Sequence, residues 1–281
     1  MRWINKRIKK NRKKGHSILG KFFRQGWDKV LGKYVNTSYK DLQREGKMTR
    51  LLLREQKGLC CYCMRHISYK NHTTIEHILP RKSKADDHST ITYYLNSARF
   101  MKRYVKWSDE PPTKRVKVPP YPHYCAYENL VASCDGSVVD VHNPEECYPA
   151  RLHNSCNNYR DCDKIIPLFY DKHAKDILCY ESDGELTFDE DLYGETIKAV
   201  NLEFPTLKLI RKVWAEICLS YSPKDVKFAQ NDESKRQEII DSTNLDVFDS
   251  FLMTYPNIWN LLYEYRWFYT YFVNKKNRHD S

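Results

Sequence analysis

Residues 58–84 read GLCCYCMRHISYKNHTTIEHILPRKSK: three cysteines within four positions, then, across a short polar loop, a carboxylate directly beside a histidine in an apolar-flanked run. Cys60-x-x-Cys63 has the spacing that lets two thiolates converge on one tetrahedral Zn2+. Two thiolates are half of such a site. Candidates for the other half are Cys134, in ENLVASCDG, and Cys156, in RLHNSCNNYRDC, with 21 residues between them where a compact knuckle has two. His153, three residues before Cys156, is an alternative ligand. Cys61, Cys125, Cys147, Cys162, Cys179 and Cys218 read as core or surface thiols, the ordinary state of an isolated cysteine.

In the second half of the stretch, Thr74 and Ile75 favour extended backbone and Pro80 stops it, so the pattern predicts a strand ending near His77. A lone histidine at such a place is usually structural. Here Glu76 stands next to it, the cysteine knuckle precedes it, and YENLVASC, with Asn129, follows. Strand neighbours point to opposite faces. Glu76 and His77 therefore meet one substrate only through a local twist, or by holding different parts of a site. The pairing suits a metal ligand beside a base.

Composition sets the outer limits. The chain has 281 residues, enough for one elaborated domain or two smaller ones. A formal charge of +11 and a pI near 9.0 favour a polyanionic partner, because each Lys or Arg placed on a phosphate releases condensed counterions. An acidic membrane surface is the rival, but the sequence has no apolar run of the roughly 18 residues a span needs. The basic N-terminus lacks the apolar stretch of a secretory signal. The expectation is a cytoplasmic protein whose clustered cysteines bind metal rather than form disulfides.

Three regions differ in character. Residues 1–44 are basic, with eight Lys or Arg and no acid in the first fifteen positions, and read either as a solvated tail or as a phosphate-tracking arm. The segment from Tyr39 to Gly58 that leads into the knuckle and the region 45–170 predicts a helix, with Gly58 as its stop. An insertion at 84–125 contains DEPPTKRVKVPPYPHY, whose five prolines exclude regular helix. Its Lys114, Arg115, Lys117, Tyr121 and Tyr124 suit contact with nucleic acid or a stiff, solvated connector. Region 171–281 reads as helical. Leu207, Ile210, Trp214, Ile217 and Tyr221 share a helical face. NIWNLLYEYRWFYTYFV is aromatic on all sides, so it must be buried in the core or against another protein.

These motifs, in their order, resemble the HNH endonuclease family over residues 45–168: the Cys-x-x-Cys knuckle, the acid-His pair followed by ILPRKS, the Asn of ENLVASC, and SCNNYRDCDK. Within the family the chain is most similar to the PtuB-type nuclease subunits of Septu anti-phage systems, including those attached to retrons. The departures are a Glu where many members have Asp, the long insertion, and the split second cysteine pair. The resemblance implies an α+β fold, a mostly helical chain around a small zinc-stapled ββα-metal core with insertions. It implies a metal-dependent endonuclease with His77 as general base, Asn129 positioning the His-bearing loop, and Glu76 with Asn157 holding Mg2+ or Mn2+. Asn158 or His153 are alternatives to Asn157. Cys60, Cys63, Cys134 and Cys156 would hold structural Zn2+. Arg160 would contact a phosphate or lie in solvent. The implied partners are nucleic acid, with DNA favoured over an RNA such as tRNA, and a PtuA-like ATPase docking on residues 200–274. Retron-attached systems add the reverse transcriptase with its RNA and DNA. The alternative function is a non-catalytic, zinc-stapled binding or interaction subunit.

Overall fold

The computed structural model describes residues 1–25, 27–28, 30, 33–34, 39–69, 73–80, 99–107, 119–136, 155–160, 163–243 and 258–279. Helices and short two-stranded ladders make up this part, an α+β architecture.

The basic N-terminal run is not a solvated tail. Helix α1 spans Lys9–Gln25, and Leu19, Phe22 and Phe23 are buried together with Met1 and Ile4 ahead of it. The inward basic groups of this run each find a buried carboxylate. Lys6 pairs with Glu55 at 2.7 Å, while Arg12 and His16 face Glu128 at 3.9 and 3.0 Å. Burying an unpaired lysine is strongly unfavourable, so these acids, together with the apolar face, hold the run against the body.

The helix expected from Tyr39 is two helices, α2 (Tyr39–Glu45) and α3 (Lys47–Gln56). Gly46 between them sits at φ +69° with the Tyr69 ring against it, and a left-handed residue cannot continue a right-handed helix. At the other end the stop is where the sequence puts it. The Gly58 N–H, at positive φ, donates to the Leu53 carbonyl at 2.8 Å.

Strand β1 (Thr73–His77) pairs antiparallel with β2 (Leu130–Cys134), Thr73 opposite Cys134 and His77 opposite Leu130. Helix α4 (Cys156–Arg160) packs on β2, as does α3. Of the 84–125 insertion, residues 99–107 and 119–125 are described. Val105–Lys106 pairs with Tyr121–Pro122 in a two-residue parallel ladder, and Tyr121 stacks on His16 of α1 with ring centroids 3.9 Å apart. That ring face is covered by the protein rather than offered to a base. Lys114, Arg115 and Lys117 lie outside the described residues.

The C-terminal region contributes α5 (Glu190–Ala199), α6 (Pro205–Ser220), α7 (Pro223–Ala229), α8 (Glu233–Ser242), α9 (Ile258–Glu264) and α10 (Trp267–His279). Leu207, Ile210, Trp214 and Ile217 of the expected α6 face are buried. Helix α10 packs on α6, the Trp214 indole N–H donates to the Leu262 carbonyl at 3.0 Å, and Trp259, Tyr265, Phe268, Tyr269 and Phe272 are buried. The aromatic run thus builds the chain's own core. It also reaches the knuckle: Arg65 pairs with Glu264 at 2.6 Å, and the His66 N–H donates to the Glu264 carbonyl at 2.6 Å. One hydrophobic cluster runs from Met1 to Phe272. No described helix is long and apolar enough to cross a membrane.

Candidate metal centre and strand–strand–helix site

Cys60 and Cys63 sit in a tight turn closed by the bridge between Leu59 and His66 and by the Cys60 N–H on the Arg65 carbonyl at 2.8 Å. Cys134 ends β2 and Cys156 opens α4. The four sulfur atoms, all buried, lie within 4.8 Å of one another. Cys63 and Cys134 are 3.6 Å apart, Cys60 and Cys156 3.9 Å. A ZnS4 tetrahedron with bonds of about 2.3 Å has sulfur–sulfur edges of about 3.8 Å, whereas a covalent disulfide is about 2.05 Å. The cage has the size of a zinc site, and its cysteines are free.

The surroundings favour thiolate at Cys60, whereas the thiols of Cys134 and Cys156 are pushed well above the usual value. Backbone N–H groups of Tyr62 and Cys134 point at Cys60 Sγ at 3.5 and 3.3 Å. Burial works to raise the Cys60 thiol, but hydrogen bonds from the neighbouring thiols of Cys134 and Cys156 hold it well below the usual value. The split between Cys134 and Cys156 is bridged by close backbone packing. Gly136 has φ +77°, and a Cβ there would overlap the Ser155 carbonyl oxygen, so only glycine lets the segment before Cys156 come this close. Cys156 itself is left-handed at φ +59°, anchored by its N–H on the Val200 carbonyl at 2.9 Å.

Gln56, which sequence reasoning missed, ties the cage to its supports. Its side-chain amide donates to the carbonyls of Leu59 and Ala132 at 2.8 and 2.7 Å and accepts from the Ala132 N–H at 2.7 Å. The last turn of α3, the knuckle and β2 therefore move as one piece.

Beside the cage, strand alternation turns Glu76 inward and leaves His77 half-exposed. Nε2 of His77 lies 3.4 Å from the Tyr124 carbonyl. Asn129 is fully buried. Its Nδ2 donates to the carbonyls of Leu79 and His123, both at 2.9 Å, and its Oδ1 accepts from the Leu79 N–H at 2.7 Å. The loop leaving His77 is thereby clamped from both sides. Arg160 is neither in solvent nor turned outward to a phosphate, as expected from the sequence, but fully buried. Its guanidinium donates to the Glu76 carboxylate, the Tyr62 hydroxyl and the carbonyls of His77, Ile78 and Asp163. Burial raises the Glu76 carboxyl even against the attraction of Arg160. Asn157 is half-buried at the second position of α4. His153 and the Asn158 side chain lie outside the described residues.

Among the described residues, the four cysteines are the one group of three or more Cys, His, Asp or Glu placed to share a metal ion. An open cleft of about 450 Å3, lined by Tyr159, Asp163, Lys164, Glu195, Lys198 and Ala199, holds none of the cysteines, Glu76, His77, Asn129 or Asn157. No family model, curated protein or solved structure matches the chain; functional assignment therefore rests on this geometry and on the motifs.

Proposed function

We propose that the chain is an HNH-type endonuclease that hydrolyses phosphodiester bonds of nucleic acid with a divalent metal, its four-cysteine cage holding structural Zn2+. The observation that carries this reading is the Asn129 clamp. A buried amide with three backbone hydrogen bonds fixes the loop after His77, which is what a general base needs to hold its imidazole at one angle to a reacting water. A hydrogen bond from an Nε2–H to the Tyr124 carbonyl selects the tautomer whose Nδ1 carries the lone pair. The antiparallel pair β1–β2 followed by α4 is compatible with a ββα-metal unit.

Glu76 and Asn157 offer the carboxylate and amide oxygens a hard cation takes, and Mg2+ or Mn2+ bound there would neutralise charge at the scissile phosphate and leaving oxygen. Arg160 and Tyr62 both donate to Oε1 of Glu76, so its second oxygen is the one left for a metal. The resemblance also extends to an ATPase-partnered anti-phage assembly. Trp259, Tyr265, Phe268, Tyr269 and Phe272 lie in the chain's own core, so a PtuA-like partner would meet exposed apolar side chains such as Leu192, Leu219 and Phe228.

The test is cleavage of plasmid DNA and of total RNA by purified protein in Mg2+, Mn2+ or no added metal, for the parent and His77→Ala. Loss of the base slows cutting by about 10² to 10⁴-fold, with zinc content and nucleic-acid affinity unchanged. Equal rates would remove the mechanism, and cutting of RNA alone would assign the RNA substrate. The ion pair of Glu76 with Arg160, the usual dress of a structural carboxylate, favours a second reading as a zinc-stapled binding subunit. That reading predicts binding without cleavage in any metal.

A further inference from the structure

Residues 1–25 contain no acidic side chain, yet they form an ordered helix rather than a tail. On its inner side, Arg12 and His16 face Glu128, and Gly15 lies so close to Tyr127 that a Cβ would overlap the ring. On its outer side, Lys10, Lys14, Ser17 and Lys21 are exposed, with Lys13 beside them. Those four positions are i, i+4, i+7 and i+11, a single stripe about 16 Å long. Like charges at i, i+4 weaken a helix, and this face carries Lys9 with Lys13 and Lys10 with Lys14 without one intervening acid. The buried acids Glu55 and Glu128 face the inner basic groups, and among the described residues no acid pairs with the stripe.

We propose that this stripe is a docking surface for the phosphate backbone of duplex DNA. It offers lysine and serine, which contact phosphate, and no aromatic side chain on which unpaired bases could stack. A duplex carries one charge per about 1.7 Å against about 3.4 Å for one strand, so a row of like charges releases most counterions on a duplex. The end of α1 lies near the site: Phe23, on its inner side, packs edge-on against Tyr124 with centroids 6.5 Å apart, and the Tyr124 carbonyl faces His77. The biological purpose rests on the nuclease reading, but the binding chemistry does not.

The experiment measures affinity for a blunt DNA duplex from low to moderate salt, without added divalent metal, in a His77→Ala background so that cutting cannot intrude. The test variant replaces Lys10, Lys13, Lys14 and Lys21 with Gln. A control variant removes the same charge from the exposed Lys172, Lys175, Lys224 and Lys227. Because four lysines no longer neutralise phosphates, the slope of log affinity against log salt should fall by about 3 to 4 in the stripe variant and by less than 1 in the control, helicity and zinc content holding in both. Equal reductions in the two variants would reduce the stripe to net charge alone and overturn the proposal, as would tighter binding of a matched RNA duplex. A parent protein that binds in this way but cuts nothing would sink the nuclease reading and leave the surface standing.

Discussion

Without the Arg160 side chain, Glu76 becomes an uncompensated carboxylate in the interior, and the carbonyls of His77 and Ile78 lose their donor. Breaking a buried ion pair from one end typically costs about 3–5 kcal/mol, while removing both ends costs far less. Arg160→Met should therefore lower the unfolding free energy of the zinc-loaded protein by that amount, and adding Glu76→Gln should restore a large part of it. Strict additivity in denaturant titrations of the single and double variants would show that the two side chains do not depend on each other. Arg160→Lys keeps the charge but not the planar fork that reaches five acceptors, so it should fall between parent and Arg160→Met. At this scale the sequence was legible where spacing carries the chemistry: the four cysteines converge as read. Arg160 and Gln56 were not legible in the same way. Apart from Asp163 and Leu59, their partners stand 82 to 98 and 76 residues away, and no local pattern reports such a meeting.

Helices and turns were legible to the extent that their local signals were not outweighed by charge. Helix α3 stops just before Gly58, through the left-handed Lys57, whereas Gly46, at positive φ against the Tyr69 ring, divides the segment expected as one helix. The density of Lys and Arg masked the amphipathic character of α1, because its apolar residues Leu19, Phe22 and Phe23 come late. The knuckle turn carries a pH dependence of its own. Burial, reinforced by the like charge of Arg266, lowers the His66 pKa to about 4, and an unfolded histidine titrates near about 6.5. Between those values the unfolded chain binds a proton that the folded one refuses, so His66 makes stability fall as pH drops from about 6.5 towards 4 and contributes nothing to the slope above that window. In His66→Gln the urea midpoint should decline less steeply over this range than in the parent, since protonation of the cage thiolates acts on both. Superimposable profiles would mean that His66 is not held neutral.

Across the whole molecule, two cores of different kind share one hydrophobic cluster. The aromatic run could be read as buried but not as buried against α6, because an all-round apolar helix carries no preferred face to say what covers it. That part, with Trp214, Trp259, Tyr265, Phe268 and Phe272, is held by apolar packing. The other part is held at one point, where Cys60 and Cys63 after α3, Cys134 at the end of β2 and Cys156 at the start of α4 converge. With Zn2+ bound there, its removal would leave four buried thiols that no longer draw three separate chain segments together. Structural zinc can contribute on the order of 10 kcal/mol to the folding of a small module, more than most domains have in hand. Cys63→Ser should therefore lower folded yield and zinc content together. In the parent, a strong chelator should depress Tm and expose the amides of the knuckle, β1, β2 and α4 to hydrogen exchange. The α6–α10 packing should stay protected longest, because it involves no cysteine of the cage. A zinc-free preparation with the parent's Tm and unchanged exchange at β2 and α4 would mean that thiol packing alone holds the cage.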